Sequence, residues 1–267
     1  MHIQNMTSAD LKELYRLQPE GWPDIVPEFE SYIKRDFCYP IKTVINGKII
    51  GTGVSIVFNK TAWLAHIIVA SEYRNRGLGS IITEKLIEIA RKNGVETCLL
   101  IATELGLPVY KKAGFRVLAD YYFLERKQPG KIEIPTAGIE KYRNVYLNEL
   151  LSLDKKITGE NRESLIRLHL NDSWVFREDG KITGFYLPRL GEGPIMAETL
   201  NAGLELMKIR IADSGKAVLP AANYAGIEFL RKNGFCLTEK KGVRMLLGQD
   251  VDWKPECIYN RIGGNYG

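Results

Sequence analysis

The sequence predicts a mixed α+β fold in two related domains, and three observations predict it. The chain has 267 residues, 45% of them hydrophobic, and this length and core content favour two domains over one. A hairpin signature recurs: Asn46-Gly47-Lys48-Ile49-Ile50-Gly51 and Asp179-Gly180-Lys181-Ile182-Thr183-Gly184 share the pattern N/D-G-K-I-x-G, 133 positions apart. A helix-end signature also recurs, Gly114-Phe115 against Gly234-Phe235, 120 positions apart. Hairpins that alternate with amphipathic helices give the α+β class, and their order is the same in both halves. Between the two signatures the second copy is 13 residues shorter than the first.

Taken in order, the first copy opens with a helical stretch over 9–17, a loop carrying Glu20-Gly21-Trp22-Pro23, and a second helix over 28–35. Three strands follow over 41–46, 48–58 and 61–69, the first two joined at Asn46-Gly47, a pair that tolerates the positive φ of a tight hairpin turn. A glycine loop at 74–79 leads into a helix over 80–92 that Asn93-Gly94 stops. That helix has Ile82, Leu86 and Ile89 on one face and Glu84, Lys85, Glu88, Arg91 and Lys92 mostly on the other, so it should pack on a sheet. A strand at 96–102, a short helix at 106–112 and a strand at 115–124 complete the copy. The second copy runs through helices over 145–153 and 160–170, the hairpin, a strand near Ile195 and a long helix over 197–212, then a strand, a helix over 225–232 and a last strand. In both copies a helix ends at a glycine able to take the left-handed cap, and an aromatic opens the next strand. Lys127-Gln128-Pro129-Gly130-Lys131 reads as the linker, which sets the domains at 1–127 and 131–267.

Composition narrows the function. No run approaches the ~20 apolar residues of a spanning helix. Met1-His2-Ile3-Gln4-Asn5 lacks the basic-then-apolar layout of a signal peptide, so a soluble, cytoplasmic protein without a membrane partner is expected. Cys38, Cys98, Cys236 and Cys257 are scattered, with no C-x-x-C, and read as reduced thiols. His2, His66 and His169 lie far apart and no H-E-x-x-H occurs, so no metal is expected. The net charge of +5, from 37 Lys+Arg and 32 Asp+Glu, is mild and dispersed. It suits an anionic small ligand and gives no basic tract of the kind that binds nucleic acid.

The strongest chemical signal is Arg74-Asn75-Arg76-Gly77-Leu78-Gly79-Ser80, set between the strand end Ile67-Ile68-Val69 and a helix. Gly77 and Gly79 let backbone N–H groups converge at the positive end of the helix dipole, beside two arginines, which makes an anion cradle suited to a pyrophosphate. Taken alone, such a loop is also an ordinary strand-to-helix turn. There is no third glycine for G-x-G-x-x-G and no Gly-Lys-Ser/Thr for a Walker loop. In context, V-x-x-x-x-R-x-x-G-x-G (Val69, Arg74, Gly77, Gly79), then a helix, a strand and Tyr110-x-x-x-Gly114-Phe115, resembles the GNAT superfamily of acyl-CoA-dependent N-acetyltransferases over nearly the whole first copy.

The resemblance implies two tandem GNAT-like domains, each a mixed, mostly antiparallel sheet flanked by helices. It implies acetyl-CoA as cosubstrate, its pyrophosphate held at Arg74, Asn75, Arg76, Gly77, Leu78, Gly79 and Ser80. It also implies that Ile67, Ile68 and Val69 splay from the neighbouring strand and pair with the pantetheine arm. Thr103 joins this set, although it stands where the family commonly has Asn. The run A-T-x-x-G-x-P-x-Y-x-x-x-G-F from Ala102 to Phe115 instead resembles a tandem-GNAT subgroup with a degenerate C-terminal domain. Glu20-Gly21-Trp22, the strand Trp63 to Val69, and Leu153-Asp154 through Gly159 and Arg162 are similar to that subgroup as well.

The implied reaction is attack of an amine on a thioester. It needs an oxyanion donor, an acceptor for the ammonium proton and a proton donor for the departing thiolate. Tyr110 is the candidate donor: a phenol of pKa about 10 facing a thiol near 8.5 leaves a gap of roughly 2 kcal/mol. The competing reading is an aromatic that packs on the cofactor. For the base, the positions usual in the family hold Trp63 and Ala65, which cannot accept a proton. His66, one residue on, would need a bulge to reach the substrate as base or ligand, and the plainer reading is a packed histidine. Glu20, Asp24 and Glu104 are loop carboxylates that could bind or deprotonate the amine, or simply be solvated. Trp22 is a candidate wall of the acceptor pocket. Asp154 and Arg162 are candidate contributors to it, or a helix-boundary salt bridge.

In the second copy Leu230 stands at the place of Tyr110, no R-x-x-G-x-G occurs, and the missing residues fall where the loop should be. Gly191-Glu192-Gly193-Pro194 is no substitute, because Pro194 lacks an N–H. The function expected is acetyl transfer from acetyl-CoA to a primary amine of a small molecule, in a ternary complex, by a monomer or homodimer. The alternative is a non-catalytic acyl-CoA-binding sensor or scaffold.

Overall fold

The structure, a computed structural model, describes residues 1–127 and 137–267. Apart from Lys127, the expected linker and the start of the second domain at 131 lie outside the described residues. The chain forms two compact units, each assembled from more than one segment. The first is Met1–Arg116 with Met245–Gln249 and Gly264–Tyr266; the second is Val117–Arg244 with Asp250–Gly263 and Gly267.

The first unit contains β1 (His2–Asn5), α1 (Val26–Ile33), β2 (Cys38–Ile45), β3 (Lys48–Phe58), β4 (Thr61–Val69), α2 (Leu78–Lys92), β5 (Thr97–Ala102) and α3 (Leu107–Lys112). Its strands run in the order β1-β2-β3-β4-β5. All neighbours are antiparallel except the parallel pair β4 and β5, so the sheet is mixed and mostly antiparallel. Asn46 and Gly47 take φ of 49° and 75° with Ile45 opposite Lys48, as the two central residues of a type I′ turn must. A Cβ on Gly51 would lie 2.8 Å from Ile82, and one on Gly53 would lie 2.8 Å from Leu86. Bare backbone at these points lets the apolar face of α2 lie directly on the sheet, with Ile82 and Leu86 fully buried. The stretch over 9–17 is a 3-10 helix, Ser8–Leu17, that buries Leu14 and Leu17. β1 has no counterpart in the sequence reading: four mostly exposed residues at a sheet edge carry no alternation to detect.

The second unit contains β6 (Arg116–Glu125) from Val117 on, β7 (Ile139–Lys141), α4 (Leu147–Thr158), α5 (Glu163–Ile166), β8 (Trp174–Glu178), β9 (Lys181–Tyr186), β10 (Ile195–Ala197), α6 (Leu200–Asp213), β11 (Lys216–Pro220), α7 (Tyr224–Lys232), β12 (Cys236–Gly248) as far as Arg244, and β13 (Ile258–Asn260). An antiparallel sheet runs β13-β10-β9-β8-β7, and β6 lies between β11 and β12. Its core joins Leu206, Met207 and Ile211 of α6 to Ile227 and Leu230 of α7 and to Phe235. Asp179 and Gly180 repeat the turn with φ of 49° and 78°. Gly184 repeats the close approach, because a Cβ there would sit 2.9 Å from Leu206 and 3.0 Å from Ala202 on α6. The helix expected over 160–170 is shorter: four residues of α5 pass into a 3-10 turn, Arg167–His169.

Candidate active site

The site is built where two parallel strands stop pairing. β4 and β5 are in register at Thr61 with Thr97, Ala62 with Cys98 and Trp63 with Leu99, and the pairing ends there. From Leu64 to Val69, β4 stays paired to β3 alone, so its other edge presents backbone N–H and C=O groups with no strand partner among the described residues. This is the edge that carries Ile67, Ile68 and Val69. At its end Arg74 folds back, its Nε donating to the Val69 carbonyl at 3.1 Å. Asn75 and Gly77 then take φ of 60° and 78°, and Gly77 starts α2 with no side chain capping it. The first N–H groups of α2 have no partner inside the helix and remain open donors. Leu78 is buried as the anchor, while Arg74, Asn75, Arg76 and Gly77 are exposed. The guanidinium of Arg76 lies 5.4 Å from the Tyr73 ring centre. Open N–H donors, a helix dipole and two exposed arginines fit a pyrophosphate.

Tyr110 is placed by the short helix that follows β5. The exposed Thr103 accepts at its carbonyl from the N–H groups of Gly106 and Leu107, both at 3.0 Å, which turns the chain into α3. The Tyr110 ring lies back over Gly106, where a Cβ would come within 2.7 Å of the ring and 3.4 Å of the hydroxyl oxygen. Glycine at 106 is therefore a matter of space, since its φ of −81° suits any residue. At the helix end Gly114 takes φ 92°, and the Phe115 N–H donates to the Tyr110 carbonyl at 3.0 Å. Burial pushes the Tyr110 phenol up to about 12, so it keeps its proton throughout the neutral range.

His66 sits on a bulge. The register of β3 against β4 shifts between Thr52 and Val54, opposite His66 and Ile67, and His66 takes φ 48°. Its Nδ1 lies 3.1 Å from the Tyr32 hydroxyl. The rings of Phe29 and Tyr32, both on α1, stand edge-on at 5.6 Å, and the Trp22 ring does so at 6.0 Å. Burial holds His66 down at about 4, which makes it a neutral imidazole at physiological pH. Trp22 is 41% exposed and is not a core residue. Its loop is held by Gln18, whose amide donates to the Trp22 and Pro23 carbonyls and accepts from the Ile25 N–H.

The remaining sequence candidates have contacts of their own. Asp24 is exposed and accepts from the Val26 N–H at 2.9 Å, at the start of α1. Glu20 and Glu104 are exposed. Asp154 and Arg162 lie in the second unit, 1% and 3% exposed, paired through two bonds of 3.1 and 2.5 Å. The sequence reading did not find Phe29, Tyr32, Glu28 or Asn265. Asn265 donates to the Tyr32 hydroxyl at 2.8 Å and to Glu28 Oε2 at 3.2 Å. No local pattern links a C-terminal asparagine to a strand histidine.

The second unit carries the second set of sequence signatures. The Phe235 N–H donates to the Leu230 carbonyl at 3.0 Å, as Phe115 does to Tyr110, so Leu230 occupies the place of Tyr110 and is fully buried. The α6 N-terminus carries a side-chain cap, Thr199, which accepts from the Ala202 N–H at 3.2 Å. Thr199 and Asn201 donate in turn to the Glu178 carboxylate at 2.7 and 2.9 Å. The bonds from Asn201 and Thr199 hold that carboxyl below its usual range. Where α2 starts with no side-chain cap, α6 starts at Thr199, whose hydroxyl in turn donates to Glu178.

The chain is similar to known proteins in sequence and in fold. Residues 8–115 match the model of the Acetyltransferase (GNAT) family. The chain is 25% identical over 199 residues to an uncharacterized N-acetyltransferase, YitH, of Bacillus subtilis (strain 168), covering 70% of this chain and 69% of that one. A stretch of 50 residues, 19% of this chain and 34% of the relative, is 40% identical to a glucosamine 6-phosphate N-acetyltransferase of Trypanosoma brucei brucei. The crystal structure of a candidate acetyltransferase from Pyrococcus horikoshii shares the fold, with a TM-score of 0.83 over 100% of this chain and 95% of that one at 21% identity. The chain has the mixed α+β fold of the GNAT proteins. Residues 8–115 are the part of the chain similar to the acetyltransferase family, and the two relatives named are N-acetyltransferases. Among the described residues no helix is long and apolar enough to cross a membrane, and no group of three or more His, Cys, Asp or Glu side chains could hold a metal ion.

Proposed function

We propose that the first unit transfers the acetyl group of acetyl-CoA to a primary amine of a small molecule, by direct attack in a ternary complex. The observation that carries this reading is the unpaired edge of β4 beyond Trp63, running into the uncapped N-terminus of α2. Arg74 through Ser80 hold the pyrophosphate, and Ile67, Ile68, Val69 and Thr103 hold the pantetheine arm. The cosubstrate supplies an activated acyl carbonyl and a thiol leaving group. The chain's own residues bind, orient and exclude water around it.

Tyr110 faces the departing sulfur. With the phenol at about 12 and a thiol near 8.5, complete proton transfer is uphill by about 5 kcal/mol rather than the roughly 2 kcal/mol that reference values give. In this reading Tyr110 stabilises the thiolate by a hydrogen bond, the proton that the attacking nitrogen loses passes to solvent, and solvent protonates the thiolate. Trp22 and His66 line the acceptor side. Asp154 and Arg162 neutralise each other and serve the fold of the second unit. With Leu230 and the capped α6, that unit binds no cofactor. The glucosamine 6-phosphate enzyme among the relatives supports a small-molecule acceptor, and acetyl-CoA chemistry with four free cysteines supports a cytoplasmic setting.

Thiol release from acetyl-CoA across a panel of small amines tests this. Turnover with at least one amine is expected, with kcat lowered about 10- to 100-fold in Tyr110→Phe and the KM for acetyl-CoA little changed. Saturable acetyl-CoA binding without turnover on any amine would leave a non-catalytic acyl-CoA binder.

A further inference from the structure

A residue of the C-terminal segment, Asn265, is bonded to the tyrosine that contacts His66. Asn265 is buried, and its side-chain nitrogen donates to both Tyr32 Oη, at 2.8 Å, and Glu28 Oε2, at 3.2 Å. A carboxylate only accepts, so Glu28 settles which end of the Asn265 amide points inward: the NH2 end. The Tyr32 oxygen then accepts from Asn265, and its single hydrogen is directed to its other neighbour, His66 Nδ1 at 3.1 Å. An Nδ1 that accepts belongs to the neutral tautomer with its hydrogen on Nε2. Tyr32 cannot leave this arrangement by ionising, because burial raises its hydroxyl well above the ordinary phenol range. The bulge and the φ of 48° hold the imidazole within reach of the relay.

We propose that Glu28, Asn265 and Tyr32 are positioning residues that lock His66 as the Nε2–H tautomer, so that His66 donates a hydrogen bond to the acceptor substrate instead of taking the proton of its ammonium. The substrate this selects is an amine that bears a hydroxyl, carbonyl or carboxylate oxygen near the amino group. This rests on reading the first unit as the acetyl-transfer site, but the tautomer itself can be measured without turnover.

Long-range proton–nitrogen correlation NMR on the full-length, 15N-labelled protein reads both ring nitrogens of its three histidines, with His66→Gln assigning the relevant set. A protonated Nε2 and a bare Nδ1 are expected at neutral pH; hydrogen on Nδ1 overturns the proposal. The double variant Glu28→Gln, Asn265→Asp keeps charge and shape but exchanges donor and acceptor, so Tyr32 must turn its hydrogen toward residue 265. The tautomer of His66 should then reverse, and an unchanged tautomer in the folded variant overturns the relay. In turnover, the exchange should raise the KM for the amine roughly five- to tenfold, the worth of one hydrogen bond, with kcat little changed. A change in kcat at constant KM would mark His66 as the base and contradict the proposal. If no amine turns over, the acetyl-transfer reading fails while the NMR result still decides the tautomer.

Discussion

His66 combines a left-handed backbone with a ring that burial holds neutral down to about pH 4. An ordinary histidine titrates near 6.5, so between these values the unfolded chain binds more protons than the folded one. The stabilisation that follows is complete above about pH 6.5 and is lost as pH falls toward about 4. Denaturant midpoints should therefore decline across that window, and less steeply in His66→Gln; equal slopes would contradict a neutral ring. Tyr110 depends on a single missing atom. Gly106→Ala would place a methyl 2.7 Å from the ring, and displacing the phenol should lower kcat about 10- to 100-fold with little effect on the denaturant midpoint. Unchanged kcat would show that the position of the ring does not matter. Tyr110 and the glycine loop could be read from sequence because each lies in a short contiguous pattern. The relay to His66 could not, since Tyr32 and Asn265 meet it only through the tertiary fold.

At the scale of elements, Gly51 and Gly184 show why the repeated signature ends in glycine. Each bare Cα faces a helix, α2 or α6, at a distance a side chain would fill. The helices differ at their N-termini: α2 has no side-chain cap, and α6 is capped by Thr199. A Cβ at Gly79 would meet only Val109, at an ordinary 3.8 Å. Gly79→Ala should thus leave stability within about 1 kcal/mol while weakening acetyl-CoA binding, as read by calorimetry. The Asp154–Arg162 pair closes the end of α4 against the start of α5. Removing one partner strands a buried charge, so Arg162→Ala should cost about 3–5 kcal/mol in denaturant unfolding; a loss below 1 kcal/mol would mean solvent already reaches Asp154. The long helices and hairpins were legible through periodicity and turn chemistry. β1 and β13 were too short to show alternation, and the full length of β12 depends on neighbours that are remote in sequence.

For the whole molecule, each unit takes segments from both halves of the sequence. Val117–Glu125, the last strand of the first repeat, counts with the second unit, while Met245–Gln249 and Gly264–Tyr266 return to the first. There Thr97 donates to the Gln249 carbonyl at 2.7 Å, and Asn265 reaches Tyr32. The repeat predicts two related domains through local signatures, but the assignment of strands to units is a question of non-local pairing on which those signatures are silent. The most direct test of a single acetyl-CoA site, in the first unit, is calorimetric titration of the full chain with acetyl-CoA, repeated on Gly79→Ala and Thr199→Ala. The expected result is one molecule bound per chain, weakened by the change at Gly79 and untouched by the change at Thr199; two molecules per chain, or loss of binding in Thr199→Ala, would contradict it.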